Sequence, residues 1–212
     1  MTTSEVALRI PAGEYTLEGD LMVPAGAPGV VLFAHGSGSS RHSPRNRHVA
    51  KALQGAGLGT LLFDLLTPDE AEDRANVFEI PFLARRLVLA RDAVRRQRVA
   101  RGLVIGYFGA STGAAAALVA AAGDPMVRAV VSRGGRPDLA HDALPRVTAP
   151  TLLIVGGDDG PVIELNQAAY RLLACEKRLE IVPGASHLFE EPGTLDEVVR
   201  LAIDWFGRHL RA

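Results

Sequence analysis

The chain has 212 residues and a formal net charge of −1, with 48% hydrophobic and 22% charged residues. These values indicate one folded domain and exclude a disordered chain or one that attracts nucleic acid through its overall charge. The single cysteine, Cys175, excludes an internal disulfide, and no apolar run approaches the roughly 20 residues of a membrane span. The first residues lack a basic stretch followed by an apolar one, so we expect a cytoplasmic protein without nucleic-acid or membrane partners.

Apolar runs and helical patterns alternate along most of the chain. Two β-like segments come first, at 6–10 and 15–23. The later predicted strands are continuous apolar runs, as expected of strands buried on both faces, and lie at 30–33, 60–63, 103–108, 127–131, 151–155 and 179–182. The first predicted helix starts at Ser43-Pro44, the second includes Leu83 to Val94, and the next two cover 111–122 and 162–173. A final helix follows a capping box of Thr194 and Glu197.

Strands that alternate with helices predict an α/β fold, with a mostly parallel central sheet covered by helices on both faces. We expect a single domain over residues 1–212 and no large cap domain, because the longest irregular stretches are 67–76 and 133–146. Active sites in such sheets lie at the carboxyl ends of the strands. A site without a lid is an open cleft, which favours short substrates.

The sequence Gly109-Ala-Ser111-Thr-Gly113 lies between a predicted strand and a predicted helix. In that context a G-x-S-x-G sequence forms a nucleophile elbow, a sharp turn that exposes the serine hydroxyl at the sheet edge. Glycines are needed there because strand and helix approach closely. The alternative is a glycine-rich turn with an incidental serine, but the strand–helix context favours Ser111 as a nucleophile.

A serine hydroxyl needs a base, and the chain has six histidines. His187 follows the last predicted strand and comes after Ser111 in the chain, which matches the order Ser, Asp, His of this type of site. We therefore predict His187 as the base. The acid is expected between them, in Gly156-Gly-Asp158-Asp159, where general principles do not separate the two aspartates. In sequences that this chain resembles, the acid commonly lies three residues after the first glycine of such a loop, and this resemblance favours Asp159 over Asp158.

An oxyanion hole requires two backbone N–H groups. Thr112, directly after the proposed nucleophile, supplies one in this interpretation, and Ser37, in the glycine-rich loop after His35-Gly36, supplies the other.

Together these motifs resemble an α/β-hydrolase over nearly the whole chain, and the small size without a cap resembles the dienelactone hydrolase-like branch. The resemblance implies the α/β-hydrolase fold, a Ser-His-Asp triad and hydrolysis. Dienelactone hydrolases proper have a cysteine at the elbow, whereas this chain has Ser111, which favours a serine esterase that cleaves small carboxylic esters. The alternatives are a lactone or thioester hydrolase and a non-catalytic binding module on the same scaffold.

Several basic residues follow strands at the predicted active edge. The candidates for substrate binding are His35, Arg41, Arg45, Arg133 and Arg136. Arginines beside glycines and helix starts can bind a carboxylate or phosphate, but they can equally cap turns, and Asp64 is placed to hold one of them. The interpretation implies a small-molecule ester or lactone as partner, no metal or organic cofactor, and a monomer or small homo-oligomer.

Overall fold

Residues 2–211 of the computed structural model form eight strands and seven α-helices. The strands are β1 (Thr3–Ala12), β2 (Tyr15–Pro24), β3 (Gly29–Ala34), β4 (Gly59–Phe63), β5 (Val104–Ala110), β6 (Val127–Arg133), β7 (Thr151–Gly156) and β8 (Lys177–Val182). The helices are α1 (Pro44–Gly55), α2 (Pro68–Glu72), α3 (Arg74–Phe78), α4 (Ile80–Arg96), α5 (Thr112–Ala121), α6 (Gly160–Leu172) and α7 (Thr194–His209). Two 3₁₀ segments cover Arg98–Ala100 and Pro137–Arg146.

All eight strands belong to one sheet in the order β1-β2-β4-β3-β5-β6-β7-β8. β1 and β2 form an antiparallel hairpin, and β2 also pairs antiparallel with β4. Every pair from β4 to β8 is parallel. The predicted α/β fold with a mostly parallel sheet is therefore confirmed, and the carboxyl ends of β3 and β5 to β8 meet at one edge.

The sheet separates two hydrophobic cores. Successive residues of β3 point to opposite faces, so Val31 and Phe33 enter one core while Val30 and Leu32 enter the other. The first core is covered by α1 and α7, and the second by α4, α5 and α6. Burial on both faces explains why the central strands are continuous apolar runs.

Helix α5 lies directly behind the predicted nucleophile. It consists mainly of alanine and other small residues, and nine of its ten residues are buried. Small side chains allow the helix axis to come close to the sheet, so α5 can start immediately after β5. The elbow is therefore held between two buried elements.

Three local expectations were wrong. The stretch 67–76, predicted to be irregular, contains α2 and part of α3, and most of 133–146 is the 3₁₀ segment. The capping box lies at Thr67 and Glu70, where side chain and backbone bond reciprocally. Thr194 is the first residue of α7 and donates to the Glu191 carbonyl, so it does not cap the helix with Glu197.

Among residues 2–211, no helix has the length and apolar character to cross a bilayer.

The elbow glycines generate a first prediction about stability. A Cβ atom at Gly113 would lie 2.6 Å from the carbonyl oxygen of His35, whereas one at Gly207, inside α7, would contact nothing within 4 Å. We expect Gly113→Ala to lower the free energy of unfolding by about 1–3 kcal/mol through overpacking against backbone. Gly207→Ala, the matched control, should raise it by about 0.5–1 kcal/mol through helix propensity. Urea denaturation measures both changes, and equal effects of the two substitutions would contradict the prediction.

Candidate active site

Ser111 occupies the turn between β5 and α5 in a backbone conformation that L-residues rarely adopt. Its φ is 51° and its ψ is −124°. Such strain costs about 1–3 kcal/mol and persists only where the surroundings impose it. Here the Ser111 N–H donates to the Arg133 carbonyl at 3.4 Å, and the Ser111 carbonyl accepts from the N–H groups of Ala114 and Arg136, each at 3.1 Å. The turn is thus clamped from both sides.

The glycines around Ser111 are required by close backbone contacts. A Cβ at Gly109 would lie 2.7 Å from the Ala114 nitrogen, and one at Gly36 would lie 2.8 Å from the Ser111 Cβ. With Gly113 against His35, these contacts bring β3, β5 and the start of α5 together at one point. The elbow predicted from the sequence therefore has the expected strand–turn–helix geometry.

His187 and Asp159 are joined across the loops that follow β8 and β7. The His187 Nδ1 lies 2.7 Å from the Asp159 Oδ2, and the imidazole is 36% exposed while the carboxylate is 13% exposed. Asp158 is exposed, and its N–H donates to the Ala185 carbonyl, which ties the two loops together. Of the adjacent aspartates, the carboxylate that contacts His187 is that of Asp159.

Ser37 and Thr112 lie on the two segments that meet at the elbow. Thr112 is the first residue of α5, so its N–H has no acceptor within the helix. In the part of the chain that the structure describes, the Ser37 N–H donates to no acceptor, and Ser37 lines the same cavity as Ser111. Both N–H groups are thus available to a ligand.

His35 lies beneath this loop in a fixed protonation state. Its Nε2 accepts from the Leu65 N–H at 3.0 Å, so its Nδ1 carries the proton and donates to the Gly36 carbonyl at 3.0 Å. Burial, the largest cause, lowers the pKa of His35 below its ordinary value. The neutral imidazole therefore joins the loop after β4 to the loop that carries Ser37.

Ser111 and His187 open onto a cavity of about 200 Å³. Its lining also includes Ser37, Arg45, Asn46 and Arg133. Larger hollows of about 670 and 640 Å³ lie elsewhere, between α1 and the β1–β2 hairpin and along α4, and one of about 380 Å³ adjoins the Ser111 cavity at Gly36 and Ser39. None of the three is lined by Ser111 or His187, so the smaller cavity is the candidate site.

The arginines selected from the sequence divide into two groups. Arg45 and Arg133 line the Ser111 cavity. Arg41 does not; it bonds to Asp64 and Glu18, which confirms that Asp64 holds one of the arginines. Arg136 pairs with Asp138 at 2.8 Å and also lies outside the lining.

Comparisons with known proteins bear on the family and the fold of the chain. The model of the dienelactone hydrolase family matches residues 17–206. The chain belongs to the dienelactone hydrolase family. A crystal structure of a dienelactone hydrolase from Anabaena variabilis is 58% identical, with a TM-score of 0.94 and 99% of each chain covered. Est1E from Butyrivibrio proteoclasticus is 16% identical, with a TM-score of 0.80 over 95% of this chain and 98% of that one, and supports the fold alone.

Curated relatives of this dienelactone hydrolase family member are longer proteins. A Mycobacterium tuberculosis protein named as a phosphoribosyl transferase is 60% identical over 205 residues, which are 96% of this chain and 46% of that protein. The chain thus spans about half the length of the curated relatives it matches. Membership of the family supports a hydrolase, whereas the transferase name belongs to a protein of which more than half has no counterpart here.

Sequence reasoning missed two polar residues beside the site of this family member. Asn46 is buried in the first turn of α1 and lines the cavity, although polar residues in helices are usually exposed. The Glu191 carboxylate accepts from the Ser186 N–H at 3.0 Å and so braces the loop that carries His187. Hydrogen bonding to Ser186 lowers the pKa of the Glu191 carboxyl group below its ordinary value. No spacing in the sequence indicates either contact.

The buried His35 generates a prediction about pH. The unfolded chain takes up a proton at this histidine below pH 6.5, whereas the folded chain resists protonation, so stability falls as the pH drops below that value. Burial also lowers the pKa of His209, which adds to the trend. We expect the free energy of unfolding to decrease between about pH 7.5 and 5.5.

His35→Asn should weaken this pH dependence. At about pH 7.5 it should cost about 1–3 kcal/mol, because the Leu65 N–H loses its acceptor. Its cost should shrink at lower pH, as measured by urea denaturation at several pH values. His209→Asn measures the contribution of the other histidine. Parallel pH curves for the wild-type chain and His35→Asn would contradict this assignment.

Proposed function

We propose that the chain is a serine hydrolase that cleaves small carboxylic esters through an acyl-enzyme. Ser111 is the nucleophile, His187 is the general acid–base, and Asp159 orients the imidazole. The N–H groups of Ser37 and Thr112 form the oxyanion hole. The role of Asp159 rests on its contact with His187, and the other roles rest on position at the carboxyl ends of the strands.

The observation that carries the proposal is the strained Ser111 turn beside the His187–Asp159 pair. A serine kept at a φ of 51° costs free energy that a merely structural turn would avoid with glycine. The carboxylate holds Nδ1 of His187, which leaves Nε2 free to accept a proton. Ser111 and His187 line one cavity, so the nucleophile and the base face the same ligand.

The reaction follows from these positions. The Ser111 Oγ attacks the ester carbonyl carbon and its proton passes to His187 Nε2, while the new oxyanion accepts from the two N–H groups. His187 then gives the proton to the leaving alcohol as the carbon–oxygen bond breaks. Water attacks the acyl-enzyme with its proton taken by His187, which returns it to Ser111 Oγ as the acid is released. The imidazolium is stabilised throughout by the Asp159 carboxylate.

The cavity supports short acyl groups. Its volume of about 200 Å³ lies below the ~300–1,000 Å³ of ordinary ligand pockets. Each additional methylene buried would contribute only about 0.8 kcal/mol. A small ester is therefore the preferred substrate class in this proposal.

A lactone is the second candidate substrate, because the 58% identical Anabaena protein is named a dienelactone hydrolase. The same attack by Ser111 would open a lactone ring without releasing an alcohol as a separate molecule. Parallel measurement of kcat/KM on p-nitrophenyl acetate and on small unsaturated lactones distinguishes the two candidates. A non-catalytic module would turn over neither.

Ser111→Ala tests the nucleophile. We expect it to lower kcat on short esters by at least about a thousandfold, because losing the nucleophile removes the covalent route. A fluorophosphonate probe should label the wild-type chain at Ser111 and leave the variant unlabelled. Circular dichroism and thermal unfolding serve as the control for an intact fold. Retention of more than about a tenth of the wild-type rate would refute the role of Ser111.

The adjacent aspartates provide a matched pair for the acid. Asp159→Asn should lower kcat by about a thousandfold or more, since an amide holds His187 in the wrong tautomer. Asp158→Asn removes the same charge one residue away, on an exposed side chain, and should leave kcat within about twofold. Steady-state kinetics on one short ester measures both. The reverse ranking would make Asp158 the acid.

A further inference from the structure

Loop 134–136 connects β6 to the second 3₁₀ segment and contacts both the turn of the nucleophile and the base. The Arg136 N–H donates to the Ser111 carbonyl at 3.1 Å. A Cβ atom at Gly134 would lie 2.8 Å from the His187 carbonyl oxygen and 3.7 Å from its Nδ1, so the loop backbone packs directly against this histidine. A displacement of the loop would therefore displace Ser111 and His187 together.

Two further hydrogen bonds hold the loop, one from the sheet and one from helix α6. The Gly134 N–H donates to the Ile154 carbonyl of β7 at 2.8 Å. The Gly135 carbonyl accepts from the side-chain nitrogen Nδ2 of Asn166 at 3.0 Å. Within residues 2–211, Asn166 is the one side chain that hydrogen-bonds to the backbone of this loop. The position of the middle of the loop thus depends on this amide.

Asn166 joins the loop to the helix that follows Asp159. Helix α6 starts directly after Asp159, whose side chain does not cap the helix and contacts His187 instead. The Asp159 carbonyl accepts from the Val162 N–H at 2.9 Å, and the Val162 carbonyl accepts from Asn166 Nδ2 at 2.8 Å. One amide nitrogen therefore bonds to the first turn of α6 and to the loop that contacts Ser111 and His187.

Burial makes the choice of an amide at this position informative. Asn166 is 0% exposed. Both of its partners are carbonyl oxygens, which only accept, so the side-chain nitrogen must face them. The Oδ1 atom then has no partner within residues 2–211, and an unpaired buried oxygen costs free energy. A leucine of similar size would fill the space without that cost, so packing alone does not account for the asparagine.

We propose that Asn166 is a positioning residue, which holds loop 134–136 against α6 and so keeps Ser111 and His187 aligned with Asp159. The proposal rests on the serine hydrolase function above and adds a residue that acts through the other three. Asn166 does not line the Ser111 cavity, so it does not touch a ligand there. Its loss should lower kcat and leave KM nearly unchanged, because a displacement of about 1 Å at a reacting group costs about a hundredfold in rate.

Asn166→Leu tests this role, with Thr151→Val as the matched control. Thr151 is also fully buried and donates to a backbone carbonyl, that of Ala149 at 2.9 Å, but it lies at the start of β7, away from the carboxyl ends of the strands. On p-nitrophenyl acetate we expect Asn166→Leu to lower kcat by about tenfold to a hundredfold with KM within about twofold. Thr151→Val should keep both constants within about twofold.

Thermal unfolding shows whether both variants are folded at the assay temperature. An equal loss of kcat in the two variants, or no loss in Asn166→Leu, would overturn the proposal.

Asn166→Ser separates the bond to the loop from the bond within the helix. A serine hydroxyl can bond to the carbonyl four residues back in its own helix, here that of Val162. It is one bond shorter than the amide and so does not keep the bond to Gly135. We expect kcat to fall as far as in Asn166→Leu, and this variant decides the matter if the leucine variant does not fold. Wild-type kcat in the folded serine variant would overturn the role of the loop contact.

A proton signal of His187 reports the alignment without turnover. The His187 Nδ1 lies 2.7 Å from the Asp159 carboxylate, and a proton in such a short hydrogen bond resonates downfield of ordinary amide protons. Its loss in His187→Gln assigns the resonance in the proton NMR spectrum. We expect Asn166→Leu to shift or broaden this resonance and Thr151→Val to leave it in place.

The two readouts separate this proposal from the esterase function. If the wild-type chain hydrolyses no ester and is not labelled by the fluorophosphonate probe, while the resonance responds as expected, the esterase is refuted and the positioning role stands. If the wild-type chain hydrolyses the ester, while Asn166→Leu changes neither kcat nor the resonance, the positioning role is refuted and the esterase stands.

Discussion

The positive φ of Ser111 depends on three backbone segments that meet without side chains between them. Gly36, Gly109 and Gly113 allow β3, β5 and the start of α5 to approach to distances that a Cβ atom would prevent. Hydrogen bonds from the neighbouring strand end then hold the turn from both sides. The strain at Ser111 is thus balanced by packing of the whole sheet, and the hydroxyl is presented at a position that a flexible loop could not maintain.

The loops around the elbow are joined to one another by hydrogen bonds. Neutral His35 joins the loops after β3 and β4, and the His187–Asp159 contact joins those after β8 and β7. An ionised Glu191 braces the backbone beside His187. Parallel strands bring these loops to one edge, but the hydrogen bonds set their spacing. At the same edge, the buried Arg133 guanidinium donates to Asn46 and lies 5.9 Å from the Phe189 ring centroid.

Much of the fold follows from local patterns in the sequence. The buried strands are visible as apolar runs because helices cover the sheet on both sides, and the elbow is visible because its glycines are adjacent in the chain. The first turn of α1 was also predictable from Ser43-Pro44, since an N-cap followed by proline is a local signal. By contrast, Thr194 resembled a capping residue and is helical instead, because its hydroxyl bonds to the Glu191 carbonyl. A cap depends on the direction in which the preceding loop arrives, and that direction is a tertiary property.

The sequence by itself determined the α/β class, the elbow at Ser111, the candidate His187 and the aspartate pair Asp158–Asp159, because each is a short motif at the end of a strand. It did not determine which aspartate contacts His187, since adjacent residues share every local signal and differ only in the direction of their side chains. Nor did it separate Arg133 from Arg136, which both follow the predicted strand 127–131. Only the tertiary structure shows that Arg136 pairs with Asp138, two residues away, whereas Arg133 is buried without a carboxylate, because burial and side-chain direction depend on how the end of β6 packs against the rest of the fold.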